Sequence, residues 1–146
     1  MTDATQGHVV IVRRVIAASA ARLFTAWTEP AQLRAWFGPS GVRCIAAEVD
    51  ARVGGAYRLG NELADGTVLW IHGTFEAIEP PERLVYSWQI GDGGETSRVT
   101  VKFVALDAQR TEVVIVHERI ASSTARDDHE RGWIGCLDSL TRWLGA

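Results

Sequence analysis

The sequence predicts an α+β fold in which a curved, seven-stranded antiparallel sheet wraps around one long C-terminal helix. Short segments rich in Val, Ile and Thr, separated by turn residues, fill residues 42–120, and this pattern is typical of an antiparallel meander. The last segment, Thr124 to Leu144, repeats apolar residues at three- and four-residue steps, which is typical of an amphipathic helix. A sheet with one polar face needs a cover for the other face, and only this helix is long enough to cross it.

The sequence of the N-terminal part predicts one strand followed by two short helices. His8 to Ile16 is rich in Val and Ile and forms the first strand. Ser19 is suited to cap a first helix, and Thr28-Glu29-Pro30 ends that helix and starts a second one. Two helices within Ala20 to Phe37 could form a DNA-reading unit, but the second helix offers only Arg34 as a cation. We therefore expect both helices to pack against the sheet.

Six further strands follow, separated by residues that favour turns. The turn residues are Gly54-Gly55, Asp65-Gly66, Pro80-Pro81, Gly91 to Gly94 and Asp107 to Arg110. The strands predicted between them are Val42 to Asp50, Ala56 to Glu62, Val68 to Ile78, Leu84 to Ile90, Ser97 to Ala105 and Glu112 to Ile120.

Length and composition fit a single domain over residues 1–146, with residues 1–7 expected to be flexible. The chain is 47% apolar and has a net charge of -3, with charges of both signs interspersed. No run of Lys or Arg could follow a phosphate backbone, so nucleic acid is not an expected partner. The polar N-terminus lacks the apolar core of a signal peptide, and no apolar run approaches membrane-spanning length. We therefore expect a cytoplasmic protein with no membrane partner.

Residues that could carry metal or nucleophilic chemistry are sparse. Cys44 and Cys136 are far apart in the sequence and are expected to be buried thiols. His117-Glu118 and His129-Glu130 lack the second histidine of a zinc-binding helix, and no Gly-x-Ser-x-Gly turn is present. We therefore expect no metal and no cofactor, and we assign no catalytic residue.

The C-terminal helix has a complete apolar stripe in only its second half. There the stripe contains Trp133, Leu137 and Leu140, whereas the same face of the first half carries His129 and Gly132. Such a helix closes a core at one end and leaves a hollow at the other. We therefore predict a pocket of roughly 300 Å³ or more beneath the first half of the helix, a size typical of small-molecule sites.

Aromatic rings and histidines are the candidate lining of this pocket. The chain contains six tryptophans, and large rings often line pockets in which one edge stays polar. An imidazole can hydrogen-bond a ligand oxygen at neutral pH. The predicted pocket residues are Trp36, Tyr57, Trp70, His72, His117, His129 and Trp133. For each histidine, a structural role without a function in binding stays open as the alternative.

Four short strings, in a fixed order along the chain, carry a family resemblance. They are Ala26-Trp27-Thr28-Glu29-Pro30 with Trp36-Phe37-Gly38-Pro39, Gly54-Gly55-Ala56-Tyr57-Arg58, Pro80-Pro81-Glu82-Arg83-Leu84-Val85-Tyr86-Ser87-Trp88, and Gly132-Trp133 followed by Leu137 and Leu140. Together they resemble the helix-grip (START-like, SRPBCC, Bet v 1-like) superfamily, in the branch named after the activator of heat-shock protein 90 ATPase. The match covers nearly the whole chain. The resemblance implies the same fold, with an internal apolar cavity between the sheet and the C-terminal helix.

The resemblance does not select one function, because members of the superfamily share a shape and differ in role. We expect a protein that binds a small apolar or aromatic molecule in the cavity. One alternative is an interaction domain of the chaperone-regulator kind, with a chaperone as partner. Another is a cyclase- or hydrolase-like enzyme in which His72, His117 or His129 acts as general acid or base. Monomer and homodimer both stay open.

Overall fold

The computed structural model describes residues 7–145, so nearly all of the segment 1–7 that we expected to be flexible lies outside the described residues. Within residues 7–145, no helix is both long enough and apolar enough to cross a lipid bilayer. In chain order the elements are β1 (His8–Ile16), α1 (Ala20–Thr28), α2 (Pro30–Trp36), β2 (Arg43–Val49), β3 (Ala56–Glu62), β4 (Val68–Glu79), β5 (Arg83–Ile90), β6 (Ser97–Asp107), β7 (Arg110–Ile120) and α3 (Ser123–Gly145).

The seven strands form one antiparallel sheet with the order β1-β7-β6-β5-β4-β3-β2. Register shifts interrupt the β2–β3 pair between Cys44 and Ala46 and the β4–β5 pair between Phe75 and Ala77. Such bulges bend a strand and increase its twist, which helps the sheet to curve. The predicted α+β class is confirmed, with two short helices after the first strand and the long helix at the C-terminal end of the chain.

The first residues of α1 and α3 show how far the local sequence predicts which residue caps a helix. Ser19 caps α1 as predicted, because its side chain accepts the Arg22 N–H at 3.1 Å. The cap of α3 is Ser122 rather than Thr124, since α3 already begins at Ser123 and the Ser122 hydroxyl accepts the Ala125 N–H at 3.1 Å. Neighbouring hydroxyl residues are all competent caps, so the backbone path out of β7 decides which one is used.

The core lies between the inner face of the sheet and the three helices. Leu137 and Leu140 of α3 have no exposed surface, in agreement with the complete stripe in its second half. Trp27 of α1 is buried and donates its indole N–H to the Tyr86 hydroxyl at 3.2 Å. The second half of α3 and the helix α1 are therefore both packed against the sheet.

Candidate functional site

A pocket of about 250 Å³ lies between the sheet and the first half of α3, and we call it the α3 pocket. Strands β3 to β5 form its floor, α3 forms its roof, and the segment after α2 closes one side. Its lining residues are Phe37, Pro39, Val42, Asn61, Leu63, Leu69, Ile71, Trp88, Ile90, Asp128, His129, Gly132, Trp133 and Cys136. The pocket is slightly smaller than the roughly 300 Å³ expected, and three aromatic rings lie close together at one end of it.

Those rings are Phe37, Trp88 and Trp133. The ring centroids lie 5.3 Å apart between Trp88 and Trp133, 6.2 Å between Phe37 and Trp133, and 6.5 Å between Phe37 and Trp88. Edge-to-face and tilted contacts at such distances add to the stability gained from burial. The three rings therefore form a closely packed wall at this end of the pocket.

Gly132 keeps the roof of the pocket open. A Cβ atom built on Gly132 has no atom within 4 Å, whereas one built on Gly135 would lie 2.5 Å from Cβ of Pro39. The space below Gly132 is therefore available to a ligand, while the space beside Gly135 is occupied by protein. Glycine inside a helix is less favourable than alanine by about 1 kcal/mol, so Gly132 keeps the roof open and lowers the stability of the helix.

A chain of buried hydrogen bonds lies behind the wall. Trp133 Nε1 donates to His117 Nδ1 at 3.0 Å, and His117 Nε2 lies 2.7 Å from Ser97 Oγ. Because an indole N–H can only donate, His117 Nδ1 is the acceptor and the ring proton is on Nε2. The Ser97 hydroxyl in turn donates to the main-chain carbonyl of Trp88 at 3.3 Å. Both nitrogens of His117 are thus used within the protein.

Burial keeps this end of the pocket uncharged. His117 has no exposed surface, and desolvation lowers its pKa to about 3, with the neighbouring His129 acting in the same direction. The centroid of the His129 ring lies 4.3 Å from that of His117. Burial also lowers the pKa of His129, against the opposing charge of Asp128. At neutral pH both imidazoles are therefore neutral.

Two polar atoms on the pocket lining have no hydrogen-bond partner in the described part of the chain. They are Asn61 Oδ1 and Trp88 Nε1. Only 4% of Asn61 and 7% of Trp88 is exposed. A buried polar group without a partner costs about 1–3 kcal/mol. Both atoms are closed to solvent in this structure, so a polar group of a ligand would gain a hydrogen bond there only after neighbouring lining side chains move.

Among the predicted pocket residues, the structure places His129 and Trp133 on the lining and His117 directly behind Trp133. Trp36 and Tyr57 are instead part of the packed aromatic core, which corrects the prediction that they line the pocket. Trp36 Nε1 donates to the Ala26 carbonyl at 2.9 Å, and the Tyr57 hydroxyl donates to a main-chain carbonyl on β5 at 2.7 Å. Their polar ends are bonded to the backbone, and their rings pack against other aromatic rings of the core.

Trp70 and His72 lie on the opposite face of the sheet, which is a second correction. The Arg58 guanidinium covers the Trp70 ring at 3.9 Å, and His72 Nε2 lies 3.0 Å from the Gly91 carbonyl oxygen. Both residues line an open outer groove of about 980 Å³ whose walls include Glu48 and Arg58. This groove is larger than the α3 pocket, but its charged walls and its openness do not suit an apolar ligand.

Asn61 and Trp88 line the pocket but are absent from the residues predicted to line it, although both lie in a recognisable sequence pattern. Trp88 follows Leu84 and Tyr86 at two-residue spacing, which is the pattern of one strand face. Asn61 follows Leu59 in the same way, so a polar residue continues a buried apolar face. A polar side chain at such a position indicates either a buried hydrogen bond or a binding site.

Comparison with known proteins agrees with this architecture. The model of the family described as Activator of Hsp90 ATPase homolog 1-like protein matches residues 17–145. A search of curated proteins gives no significant match.

Several solved structures are similar. A protein from Chromobacterium violaceum is 28% identical with a TM-score of 0.84, and the match covers 92% of this chain and 95% of that one. An AHSA1 protein from Silicibacter pomeroyi is 21% identical with a TM-score of 0.85, covering 94% and 98%. An HSP90 activator from Plasmodium falciparum is 26% identical with a TM-score of 0.62, covering 80% and 76%. The chain therefore belongs to the family of Activator of Hsp90 ATPase homolog 1-like proteins, the branch of the SRPBCC superfamily that its sequence motifs resemble.

Proposed function

We propose that this protein binds a small, mainly apolar molecule in the α3 pocket. The observation that carries the proposal is the open space below Gly132, bounded by the side chains of Leu69, Ile71 and Ile90 and by aromatic rings. An apolar cavity of about 150 Å³ accommodates benzene, so a pocket of about 250 Å³ has room for a two-ring aromatic molecule.

The expected affinity is moderate. Small ligands gain between about 0.3 and 1.5 kcal/mol per non-hydrogen atom, and a value of roughly 0.5–0.8 suits a pocket that is open at one side. A ligand of ten carbons would then bind with a dissociation constant of roughly 1–200 μM. Equilibrium dialysis measures affinities in this range without relying on tryptophan fluorescence.

The test is to fill the pocket from its roof. Gly132→Leu places a branched side chain in the open space, and Gly132→Ala is the matched control that adds only a Cβ atom. Both changes replace a helix glycine and should raise the melting temperature, or at least not lower it. We expect Gly132→Leu to weaken the binding of 2-naphthol at least tenfold and Gly132→Ala to change it by less than threefold. Unchanged binding by Gly132→Leu would show that the α3 pocket is not the site.

Contact with an Hsp90-type chaperone is a second candidate function, favoured by the 26% identity to an HSP90 activator. The ATPase rate of purified Hsp90 with and without this protein tests it. Equal stimulation by the wild type and by Gly132→Leu would assign the chaperone contact to a surface separate from the pocket. No stimulation by the wild type would remove this candidate.

The enzyme alternative has less support from the geometry. His117 has both nitrogens bonded within the protein and a pKa of about 3, so it is not poised to accept a proton at neutral pH. His72 lies on the outer face of the sheet with Nε2 against a carbonyl oxygen. Of the three histidines considered, His129 is the one that remains on the pocket wall.

We further propose a cytoplasmic location. Cys44 and Cys136 are both buried free thiols, which is the usual state of cysteines in a reducing compartment. Fractionation of the native host followed by detection with an antibody tests this, and recovery from the periplasm or the medium would contradict it.

A further inference from the structure

We infer that the α3 pocket takes a neutral, elongated molecule with a hydrogen-bonding group at each end, one donating to Asn61 Oδ1 and the other accepting from Trp88 Nε1. This ligand class presupposes the binding function proposed above and adds the polar chemistry that apolar walls alone do not specify.

The two polar atoms are the first support. Both belong to side chains that line the pocket and are more than nine-tenths buried, and neither atom has a protein partner among the described residues. Both atoms are closed to solvent in this structure, so a ligand reaches them when the neighbouring lining side chains move aside. An amide oxygen accepts a hydrogen bond and an indole N–H donates one, so the ligand must supply a donor to Asn61 and an acceptor to Trp88. A site with buried, unpaired polar groups discriminates against ligands that lack the matching groups.

The sheet register explains why one polar group is not enough. Asn61 on β3 and Trp88 on β5 are separated by β4, so their strands lie two ladder spacings apart, roughly 10 Å. They are also offset along the strands, because Asn61 pairs with Leu69, whereas Ile90, two residues after Trp88, pairs with Ile71. A single hydroxyl would reach one partner, and an elongated two-ring molecule has an end for each.

The charges around the pocket favour a neutral ligand. The lining contains no Lys or Arg, and its one carboxylate, Asp128, is already bonded to Arg131. His129 on the wall is neutral at physiological pH, because burial lowers its pKa. An anionic group would therefore lose its hydration and meet no cation, which is strongly unfavourable.

The experiment measures four related probes by equilibrium dialysis: naphthalene, 2-naphthol, 2,6-dihydroxynaphthalene and 2-naphthoate. Wild type is compared with Asn61→Leu, which removes the acceptor, and with Trp88→Phe, which keeps an aromatic ring and removes the donor. Each hydroxyl that finds its partner should tighten binding by roughly three- to tenfold. We expect affinity to rise from naphthalene to the diol in the wild type. Each variant should lose one of these steps, and naphthoate should bind at least tenfold more weakly than naphthol.

A stability readout separates a binding role from a structural one. Asn61→Leu replaces an unpaired buried oxygen with apolar atoms, so the ligand-free variant should melt at or above the wild-type temperature. A clear fall in its melting temperature would show that Asn61 holds the fold together, which would contradict the inference. If Trp88→Phe does not fold, the Asn61→Leu arm decides alone.

The outcomes distinguish the two proposals. If the diol binds no more tightly than naphthalene while Gly132→Leu still blocks naphthalene, the two-ended ligand is wrong and the binding function stands. If the diol is preferred but both variants keep that preference, the polar contacts lie elsewhere and the inference is overturned. If no probe binds the wild type, the proposed binding function itself fails.

Discussion

The buried His117 should make the protein less stable in mild acid. In the folded state its pKa is lowered to about 3 by desolvation, whereas an unfolded chain restores the ordinary value of 6.5. Between these two pH values the unfolded state binds more protons than the folded state. The free energy of unfolding must therefore fall as the pH falls from about 6.5 toward 3, and the contribution of His117 is fully present above pH 6.5.

The magnitude follows from the same shift. Each pH unit below 6.5 removes about 1.4 kcal/mol while the folded His117 stays neutral, so acidification to pH 5 should remove about 2 kcal/mol. The half-buried His129, whose pKa is also lowered, acts in the same direction. A loss of this size is a sizeable fraction of the 5–15 kcal/mol that is typical of a small domain.

Urea unfolding at pH 7 and pH 5, followed by circular dichroism, measures the loss. The control is His117→Gln, which cannot titrate and should show a clearly smaller difference between the two pH values. In the wild type, the chemical shifts of the His117 ring nitrogens should report a neutral ring with the proton on Nε2 at pH 5. Equal stability of the wild type at both pH values, or an imidazolium signal from folded protein at pH 5, would show that His117 is not held neutral by burial.

Three further predictions, made with four substitutions, test the packing around α3 and α1. Trp133→Phe should lower the free energy of unfolding by about 2–4 kcal/mol in urea melts, because it shrinks a buried ring and leaves Nδ1 of His117 unpaired; a loss below about 1 kcal/mol would contradict the hydrogen bond. Leu140→Ala should lower the free energy of unfolding by about 2–5 kcal/mol, since the side chain has no exposed surface. Ile134 on the same helix is 42% exposed, so Ile134→Ala should lower it by less than about 1 kcal/mol, and similar losses would argue against the orientation of α3. Ser19→Ala should lose about 1 kcal/mol by removing the α1 cap, and no measurable change would mean that another group caps that helix.

The architecture was predictable because its signals are local. Alternation and turn residues identified all seven strands, with bounds that differ from the observed ones by at most two residues at either end, and a 3.6-residue period identified α3. The identity of the cap on α3 was not predictable, since Ser122 and Thr124 are both competent and the exit from β7 decides between them. Local chemistry thus determines which elements form, and the path of the chain determines how they end.

The part of the pocket that α3 forms could be predicted from the sequence, whereas the lining residues on the sheet could not. Gly132 and His129 interrupt the apolar stripe of α3, so the hollow beneath them could be inferred from one periodicity. On β4 both faces carry large apolar groups, and only the assembled sheet shows that Ile71 faces α3 while Trp70 faces outward. Whether Asn61 Oδ1 finds a hydrogen-bond partner depends on groups that distant parts of the chain bring close to it. No local sequence pattern shows which groups these are.

The indole N–H resonances of the tryptophans test the location of the site most directly. A titration with 2,6-dihydroxynaphthalene, followed by ¹H–¹⁵N correlation spectra, observes the indole of Trp88 on the pocket lining and that of Trp70 in the outer groove in one experiment. Single Trp→Phe variants assign the two signals. We predict that the Trp88 N–H shifts with saturation, as its unpaired donor gains an acceptor, and that the Trp70 signal stays in place. A saturable shift of the Trp70 signal with an unmoved Trp88 signal would place binding on the outer face of the sheet and contradict a site in the α3 pocket.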